Sequence, residues 1–246
     1  MIAIRACHLD YSYPDGTHAL KNISFEIMER EKLAIIGPNG SGKSTLLTLF
    51  NSVREAQGEL YVFNYKLDRK NRKTIKNLVG LVFQNPDDQL FCPTIFEDIA
   101  FGPLNLGLNP TEVQEAVGNA LKNVGLEGYQ DRSSFHLSYG ERKLASIATV
   151  VAMNPRLISL DEPTSNLDLA HRRKIIQWLQ ASEKTIVLTT HDLDMALDTC
   201  QRVILLNQGQ IITDGKAKDI LLDQQLLEQN DLELPLSIQN RKSPVL

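Results

Sequence analysis

Long apolar runs are missing from this sequence. The longest apolar stretch, residues 144–153, is shorter than the about 20 residues that a bilayer-spanning helix needs. The first residues, MIAIRACHLDYSY, alternate like a strand and lack the apolar core of a signal peptide. We therefore expect no signal peptide, and if the protein works at a membrane we expect another chain to span it.

Cysteine, paired histidine and excess positive charge are also scarce. The three cysteines, Cys7, Cys92 and Cys200, have no CxxC spacing, and the five histidines form no His-x-His or His-x₃-His pair. These absences exclude a disulfide framework and a zinc-type cluster, and they predict reduced, mostly buried thiols in a cytosolic protein. The formal net charge of −4 argues against a nucleic-acid partner.

The strand and helix patterns predict an α/β fold. The 246 residues can bury about 70–75% of the unfolded surface without a disulfide or a metal. The N-terminal part reads as strands on both sides of a turn at residues 14–17, and residues 87–153 contain loops and helices, one of which Thr111 is predicted to cap. From residue 157 onward, short apolar strands alternate with helices, which is typical of a parallel sheet covered on both faces.

Residues 37–44, GPNGSGKS, fit the phosphate-loop pattern GxxxxGK[ST]. The glycines let successive N–H groups face one anion, and the helix that begins near Lys43 adds its positive end. We predict that Lys43 reaches the β- and γ-phosphates, that Ser44 ligates Mg²⁺ and that Thr45 contacts the α-phosphate. The loop residues predicted to bind nucleotide are Gly37, Asn39, Gly40, Ser41, Gly42, Lys43, Ser44 and Thr45. The strand before the loop and the helix after it oppose the alternative of an incidental glycine-rich turn.

Polar side chains follow three further strands of the predicted sheet. Asp161 and Glu162 end one strand, whereas Gln84 and His191 each follow another. Because parallel strands deliver their carboxyl ends to one crevice, we predict that Asp161 and Gln84 hold Mg²⁺. Glu162 is predicted to polarise the attacking water, and His191 is predicted to contact the γ-phosphate. Solvent-facing acids and a structural histidine are the alternatives.

An aromatic side chain precedes the first turn. Tyr13 lies immediately before Pro14, where its ring could stack on adenine. Tyr11 is the alternative stacking residue, and a tyrosine of the core or the surface is the other interpretation.

Six segments together resemble the ATP-binding-cassette (ABC) ATPase family. They are YSYP, GPNGSGKST, VFQNPDDQLF, LSYGERK, LISLDEPTSNLD and TTHD, and their order and spacing match the family across roughly residues 2–215. The resemblance implies a phosphate-loop NTPase fold, with a RecA-like parallel sheet, an N-terminal antiparallel β subdomain and an inserted helical subdomain. It also implies ATP hydrolysis, with ATP and Mg²⁺ as cofactors.

The same resemblance implies domain boundaries. We expect an ABC ATPase domain at residues 1–220, with its core at 1–86 and 154–220 and the helical subdomain at 87–153. Residues 221–246 are expected to form a C-terminal helix and a frayed tail. This segment either adds dimer contacts or caps its own sheet.

Residues 137–141, LSYGE, correspond to the family's signature segment, which is usually LSGGQ. In this family the signature segment closes over the nucleotide of a second subunit in a head-to-tail dimer. The resemblance therefore assigns Ser138 and Gly140 to the ATP of the partner. Asp168 lies in the segment that resembles the D-loop. It is expected to hydrogen-bond near the opposite phosphate loop, to cap the following helix, or to do both.

Two residues of the signature segment depart from the family pattern. Tyr139 replaces a glycine, and because a residue with a Cβ does not freely take positive φ, we expect ordinary helical backbone there. Glu141 replaces glutamine and adds a negative charge near a polyphosphate. Arg142 and Lys143 are expected to offset that charge.

Residues 82–108 resemble the ATPase subunit of energy-coupling-factor (ECF) importers, especially the cobalt/nickel type. In that family this region faces the coupling helices of the membrane partner, so Asp87, Asp88 and Gln89 are expected near the contact, with a solvated acidic turn as the alternative. The implied partners are a second ATPase subunit, most simply an identical copy, an integral membrane coupling protein and a substrate-binding membrane subunit. The implied location is the cytoplasmic face of the cell membrane, as a peripheral protein.

Two other functions stay open from the sequence. A soluble ABC ATPase that powers an assembly process, such as iron–sulfur cluster biogenesis, would have the same length and fold, although the segment QNPDDQLF opposes it. A nucleotide-binding regulator without hydrolysis would be expected to lack Glu162 or His191, and both are present. The sequence does not identify the imported substrate.

Overall fold

A computed structural model of the chain describes residues 1–242. The strands in that range are β1 (Ile2–Ser12), β2 (His18–Met28), β3 (Lys32–Ile36), β4 (Gln57–Val62), β5 (Tyr65–Lys66), β6 (Val79–Val82), β7 (Leu157–Asp161), β8 (Thr185–Thr189), β9 (Arg202–Asn207) and β10 (Gln210–Lys216). The α-helices are α1 (Lys43–Phe50), α2 (Arg72–Leu78), α3 (Ile95–Asn105), α4 (Pro110–Val124), α5 (Tyr139–Val151), α6 (Leu169–Ala181), α7 (Leu193–Thr199), α8 (Ala217–Leu221), α9 (Gln224–Glu228) and α10 (Leu236–Lys242).

The strands form two sheets, which confirms the α/β fold class. An antiparallel sheet has the order β2-β1-β4-β5, and a larger sheet has the order β10-β9-β3-β8-β7-β6. In the larger sheet β9, β3, β8, β7 and β6 run parallel, and β10 adds an antiparallel edge that the sequence reading missed. All residues of β3 and β8 are buried, as expected for parallel strands covered on both faces.

Alternate side chains of β3 enter two different hydrophobic clusters. Leu33 and Ile35 pack with α1 and the antiparallel sheet, whereas Ala34 and Ile36 pack with helices α3 to α7 on the other face. This alternation follows from the two-residue period of a strand. It fixes α1 and the loop before it on one face of the sheet and the helical region on the other.

The helical region contains one capping arrangement that differs from the prediction. Helix α4 is capped by Asn109, not by Thr111: the Asn109 side chain accepts the N–H groups of Thr111 and Glu112, and the Glu112 carboxylate accepts the Asn109 N–H. Pro110 occupies the first helical position, where a missing N–H costs nothing. The helix therefore starts earlier than its apolar pattern indicates.

The C-terminal segment differs from the predicted single helix and frayed tail. Asp223 caps a new helix by accepting the Leu226 N–H, so the segment divides into α8 and α9. Helix α10 then follows where fraying was expected, and the Asp194 carboxylate of α7 accepts the N–H groups of Leu236 and Ser237. The last part of the predicted frayed tail, residues 243–246, lies outside the described residues.

Two expectations based on composition have different outcomes. No helix among residues 1–242 is both long enough and apolar enough to cross a membrane. Cys7, Cys92 and Cys200 are all free thiols, but only Cys200 is buried, so the expectation of mostly buried thiols is wrong for the other two.

Candidate functional site

The phosphate loop joins β3 to α1 in a backbone conformation that requires glycine. At Gly37 φ is +147°, and a Cβ there would lie 1.9 Å from the carbonyl oxygen of Leu206. At Gly42, the N-cap of α1, φ is +104° and a Cβ would lie 2.6 Å from the carbonyl oxygen of Ala19. Both positions therefore exclude a side chain on steric and conformational grounds. The loop wraps tightly against the strand β9 and the start of β2.

The lysine of the loop is held inside it. The Lys43 Nζ donates hydrogen bonds to the carbonyl oxygens of Gly37, at 2.7 Å, and of Pro38, at 3.0 Å. Burial lowers the pKa of Lys43, while the nearby carboxylates of Glu162 and Asp161 act in the opposite direction. This ammonium group is thus a cation that carbonyl dipoles place at the centre of the loop, where an anion would bind.

Hard oxygen donors meet at the ends of α1, β7 and β8. The Ser44 hydroxyl donates to Asp161 Oδ1 at 3.0 Å, and the Thr189 hydroxyl donates to the same oxygen at 2.5 Å. A hydroxyl beside a carboxylate suits Mg²⁺, which takes only one or two protein ligands when phosphates supply others. Residues 1–242 contain no group of three or more His, Cys, Asp and Glu side chains that could hold a metal by themselves. The donor set therefore fits magnesium bound together with a nucleotide.

Glu162 is a nearly buried carboxylate with an unused oxygen. Its side chain is 7% exposed, and its φ of +45° lies in the left-handed region that is costly for a residue with a side chain. Oε2 accepts hydrogen bonds from the His191 N–H and the Ser165 hydroxyl, each at 3.2 Å. Oε1 has no hydrogen-bond donor among the described residues and lies 3.3 Å from His191 Nε2. A buried acceptor in this state can receive a proton or bind a water molecule.

An ion pair supports the loop that carries His191. Arg172 donates two hydrogen bonds to the Asp192 carboxylate, at 2.6 and 2.8 Å, and Asp192 also accepts the Met195 N–H as the cap of α7. Burial raises the pKa of Asp192, but the hydrogen bonds from Arg172 and Met195 outweigh it, so the pKa is lowered. The residue after His191 is therefore fixed as a carboxylate in a bidentate pair.

A cavity of about 570 Å³ brings most of the predicted site together. Its wall includes the residues Tyr13, Asn39, Gly40, Ser41, Gly42, Lys43, Ser44, Thr45, Gln84, Glu162 and His191. We call it the phosphate-loop cavity. Gly37 lies in the same loop, and Asp161 touches the cavity residue Ser44. Of the two tyrosines considered for stacking on adenine, Tyr13 lies in the wall of the cavity and Tyr11 does not.

The sequence reading missed one side of this cavity. Residues Thr17, His18, Ala19, Lys21, Gln208 and Gly209 complete the wall. The Gly209 N–H donates to the carbonyl oxygen of Ser41, and the Lys21 N–H donates to the carbonyl oxygen of Gly209. No motif marks this contact, because it joins the β9–β10 turn to distant parts of the chain. Only the positive φ of Gln208 and Gly209 shows that a tight turn is needed there.

The signature segment lies outside the phosphate-loop cavity. Ser138 caps α5 in a reciprocal capping box: its hydroxyl accepts the Glu141 N–H, and the Glu141 carboxylate accepts the Ser138 N–H at 2.7 Å. Glu141 also accepts the Tyr129 hydroxyl at 2.8 Å. The hydrogen bond from the Ser138 N–H is the main cause of the lowered pKa of Glu141; burial acts in the opposite direction, and the Tyr129 hydroxyl lowers the pKa further.

The two departures from the family pattern have structural explanations. Tyr139 is the first residue of α5 and is not among the residues with positive φ, so the expectation of ordinary helical backbone is confirmed. The expectation for Lys143 is wrong. This lysine is fully buried, and its Nζ donates to the carbonyl oxygens of Phe83 and Gln84 at 2.7 and 2.8 Å. Burial lowers the pKa of Lys143 to about 8. It therefore cannot offset the charge of Glu141 at the surface.

The predicted D-loop residue contacts the signature segment through a histidine. Asp168 caps α6, which was one of its two expected roles. Its carboxylate accepts the His171 N–H at 2.9 Å and pairs with His171 Nδ1 at 2.7 Å. These contacts lower the pKa of Asp168. The imidazole lies against Gly140, where a Cβ would be 2.3 Å from the ring. Ser138, Gly140 and Asp168 thus form a separate cluster, and none of them is in the cavity wall.

The segment after Gln84 divides into inward-facing and outward-facing side chains. The Gln89 side chain is half-buried and faces inward, accepting the Phe83 N–H and donating to Ser146 and Thr149 of α5. Its expected place near a partner contact stays a prediction. Asp87 is exposed and pairs with Arg142, and Asp88 is exposed.

Three exposed apolar side chains lie close to this segment. Phe91 and Phe101 are 68% and 52% exposed, with ring centroids 5.2 Å apart, and Leu104 is 56% exposed. We call these three residues the aromatic patch. Contiguous apolar patches on a soluble surface mark interaction sites.

Comparison with known proteins identifies related chains. The profile of a family described as ABC transporter matches residues 20–165. The chain is 47% identical to a putative ABC transporter ATP-binding protein of Gloeobacter violaceus, covering 94% of this chain and 96% of that protein. It is 41% identical to the energy-coupling factor transporter ATP-binding protein EcfA of Methanocaldococcus jannaschii, covering 100% of this chain and 92% of that protein.

Two solved structures share the fold. The structure of cbiO1 from Clostridium perfringens, described as part of the ABC transporter complex cbiONQ, has a TM-score of 0.83 at 34% identity, with 98% and 99% of the two chains covered. A dimeric ATP-binding cassette in a post-hydrolysis state, bound to ADP and Pi, has a TM-score of 0.77 at 30% identity, with 87% of this chain and 98% of that chain covered.

Proposed function

Because the chain belongs to the ABC transporter family and is one of its ATPases, we propose that it binds and hydrolyses ATP to energise a membrane importer of the ECF type. The observation that carries this proposal is the phosphate-loop cavity. It joins the phosphate loop to Glu162 and His191 on one chain, with Asp161 beside Ser44. A regulator that only binds nucleotide has no need for a buried carboxylate oxygen without a hydrogen-bond donor at that place.

The phosphate loop and its neighbours bind and orient the nucleotide. Lys43 would exchange its carbonyl partners for β- and γ-phosphate oxygens, and Thr45 would face the α-phosphate. Ser44, Asp161 and Gln84 would hold Mg²⁺, which neutralises charge on the phosphates when it is bound. Tyr13 offers its ring to the adenine base at the rim of the cavity.

Glu162 is the group that would activate water. Its free Oε1 can accept a proton from a water molecule aligned with the γ-phosphate, while Oε2 stays fixed by His191 N–H and the Ser165 hydroxyl. A positioned general base contributes about 10²–10⁴-fold in rate. The His191 imidazole, 42% exposed beside Glu162, faces the place where the γ-phosphate would bind.

The signature segment is proposed to act on a second copy of the chain. Ser138 and Gly140 are not in the wall of their own cavity, and Tyr139 and Gly140 are the first two residues of α5, where backbone N–H groups have no acceptor within the helix. Helix N-terminal N–H groups of this kind bind anions. A head-to-tail homodimer would place them over the partner's γ-phosphate, with Asp168 near the opposite phosphate loop. The dimeric state of a similar cassette supports this arrangement.

The aromatic patch is proposed to contact the membrane partner. ECF and cbiONQ names among the similar proteins support an importer with an integral coupling protein and a substrate-binding membrane subunit. The chain would then be peripheral, at the cytoplasmic face of the membrane. We propose cobalt, nickel or a related micronutrient as the cargo. Residues 1–220 would be the ATPase domain, with residues 87–153 as the helical subdomain and residues 221–246 as an accessory segment.

The test is to purify the tagged protein from gently solubilised native membranes and to identify the proteins that accompany it. We expect an integral membrane protein together with a small substrate-binding membrane subunit, whose identity gives the cargo class. Replacing both Phe91 and Phe101 by serine should remove these partners without weakening ATP binding. Tyr65→Ser, at a 43% exposed aromatic of β5, is the control that should keep them. Recovery of soluble scaffold proteins alone would favour the assembly ATPase instead.

A further inference from the structure

The ring of Tyr13 is held from three sides at the rim of the phosphate-loop cavity. Its hydroxyl shares a hydrogen bond of 2.7 Å with Thr45 Oγ1. The ring of Tyr11 meets it edge to face, with centroids 5.2 Å apart and an interplanar angle of 83°. The guanidinium carbon of Arg54 lies over the Tyr13 ring, 4.8 Å from its centroid.

Arg54 is committed to the two tyrosines. Its Nη1 donates to the Tyr11 hydroxyl at 3.0 Å, and its guanidinium carbon is also 5.7 Å from the centroid of the Tyr11 ring. No carboxylate of residues 1–242 forms an ion pair with it, and the neighbouring Glu55 pairs with Arg72 instead. The Arg54 Nε is buried without an acceptor in the described part of the chain. An arginine whose charge has no anionic partner is stabilised here by the ring faces.

One contact on Tyr13 comes from the helix that begins at the phosphate loop, and the other comes from the turn that follows this helix. Thr45 lies in the first turn of α1, and the Arg54 N–H donates to the carbonyl oxygen of Thr48 in the same helix. Helix α1 and the turn tied to its end therefore set the position of the ring relative to the phosphate loop. Tyr13 lines the cavity, whereas Arg54 is not among the wall residues of this cavity.

We propose that Arg54 is a positioning residue for the nucleobase: it holds Tyr13 from behind, so that the opposite face of the ring stays open for stacking on the base of ATP. The inference rests on the proposed function, because it needs Tyr13 to be the stacking residue. Arg54 does not touch the nucleotide and contributes through the ring alone. Stacking on an aromatic side chain contributes a sizeable part of nucleotide affinity, which is lost when the ring is free to turn away.

The experiment compares Arg54→Met with the parent chain, in the presence of Mg²⁺, using two ligands. ATP carries a base, whereas inorganic tripolyphosphate carries only the phosphates. We expect the Kd and KM for ATP to rise about 5- to 10-fold in Arg54→Met, with kcat unchanged, as a lost cation–π contact of a partly buried ring implies. The Kd for tripolyphosphate should stay the same, which also shows that the variant is folded. Arg54→Lys should recover part of the ATP affinity.

The matched control is Arg156→Met. The Arg156 guanidinium also lies over an aromatic ring, 3.9 Å from the centroid of Phe63, but away from the cavity. Its loss should leave the affinity for both ligands unchanged. If Arg54→Met weakens ATP and tripolyphosphate equally, Arg54 acts as a general positive charge, and the proposal is overturned.

Tyr13→Ala separates failure of this inference from failure of the proposed base site. If Tyr13→Ala weakens ATP binding and Arg54→Met does not, the base site holds and the role of Arg54 is refuted. If Tyr13→Ala leaves ATP affinity unchanged, Tyr13 is not the stacking residue, and both proposals about the base fail together.

Discussion

The phosphate loop and the signature segment both end at the N-terminus of a helix, but their surroundings differ. At the start of α1, the chain itself supplies a cavity, a buried lysine and a carboxylate with a free oxygen. At the start of α5, Ser138 and Glu141 cap each other at an exposed position, and neither residue lines the phosphate-loop cavity. Two similar local structures therefore differ in whether the chain completes the site.

The difference indicates which steps of the proposed reaction depend on the cavity and which depend on the signature segment. The cavity contains the groups proposed to bind the phosphates and to activate water, so changes there should affect the reaction directly. The signature segment presents two N–H groups and a hydroxyl, so changes there should act through folding of the helix start or through a second copy. The following predictions test this division, beginning with the largest expected effect.

Glu162→Gln should lower the rate of ATP hydrolysis by at least about 100-fold, because an amide cannot accept the proton from water. ATP binding should persist and should trap a stable dimer, measured by phosphate release together with size-exclusion chromatography. Glu115→Gln, at an exposed position of α4, is the matched control and should behave as the parent. Normal hydrolysis by the Glu162 variant would show that the catalytic assignment is wrong.

Gly140→Ala should destabilise the fold by about 1–3 kcal/mol, since the added Cβ must displace the His171 ring from its contact with Asp168. Gly118→Ala in α4 is the control: a Cβ there meets nothing within 4 Å, and stability should rise by about 0.5–1 kcal/mol. Both are measured by urea unfolding. Adding His171→Ala should relieve the Gly140→Ala defect. Equal effects of the two glycine substitutions would show that the histidine does not constrain this position.

Tyr139→Gly should leave the rate of ATP hydrolysis within a few-fold of the parent. The backbone at Tyr139 is helical without strain, and the tyrosine hydroxyl makes only a long hydrogen bond of 3.4 Å to the carbonyl oxygen of Gln84. Steady-state hydrolysis of the parent and the variant is the measurement. A loss beyond tenfold would mean that the tyrosine is required and not merely tolerated.

Glu141→Gln should have the smallest effect, about 0.5 kcal/mol of stability at neutral pH, because glutamine keeps the capping box and loses only the charge. The folded-state pKa of Glu141 is lowered, so the carboxylate stabilises the fold above its ordinary pKa of 4.5 and loses that contribution as pH falls through the folded value. The stability difference between parent and variant should therefore vanish in acid. A difference that persists in acid would show that the charge is not its source.

Sequence reasoning located most residues of the cavity wall, because they follow a strand or belong to the glycine-rich loop. Parallel strands deliver their carboxyl ends to one edge, so Gln84, Glu162 and His191 meet there by a general rule. The inward orientation of Gln89 and Lys143 could not be predicted in this way, because the residues that flank them gave no sign of it. Their hydrogen bonds join the segment after β6 to α5, and the bonded residues are 57 and 60 positions apart in the sequence.

The sequence by itself determined the α/β class, the phosphate loop and the acidic end of β7, because these depend on local periodicity and on glycine spacing. The tertiary structure decided which residues share a wall. It brought Gly209 against the phosphate loop, Arg54 over the ring of Tyr13 and His171 onto Gly140. The reason is that such contacts are selected by packing between distant elements, where many pairings satisfy the local pattern and close packing admits only one.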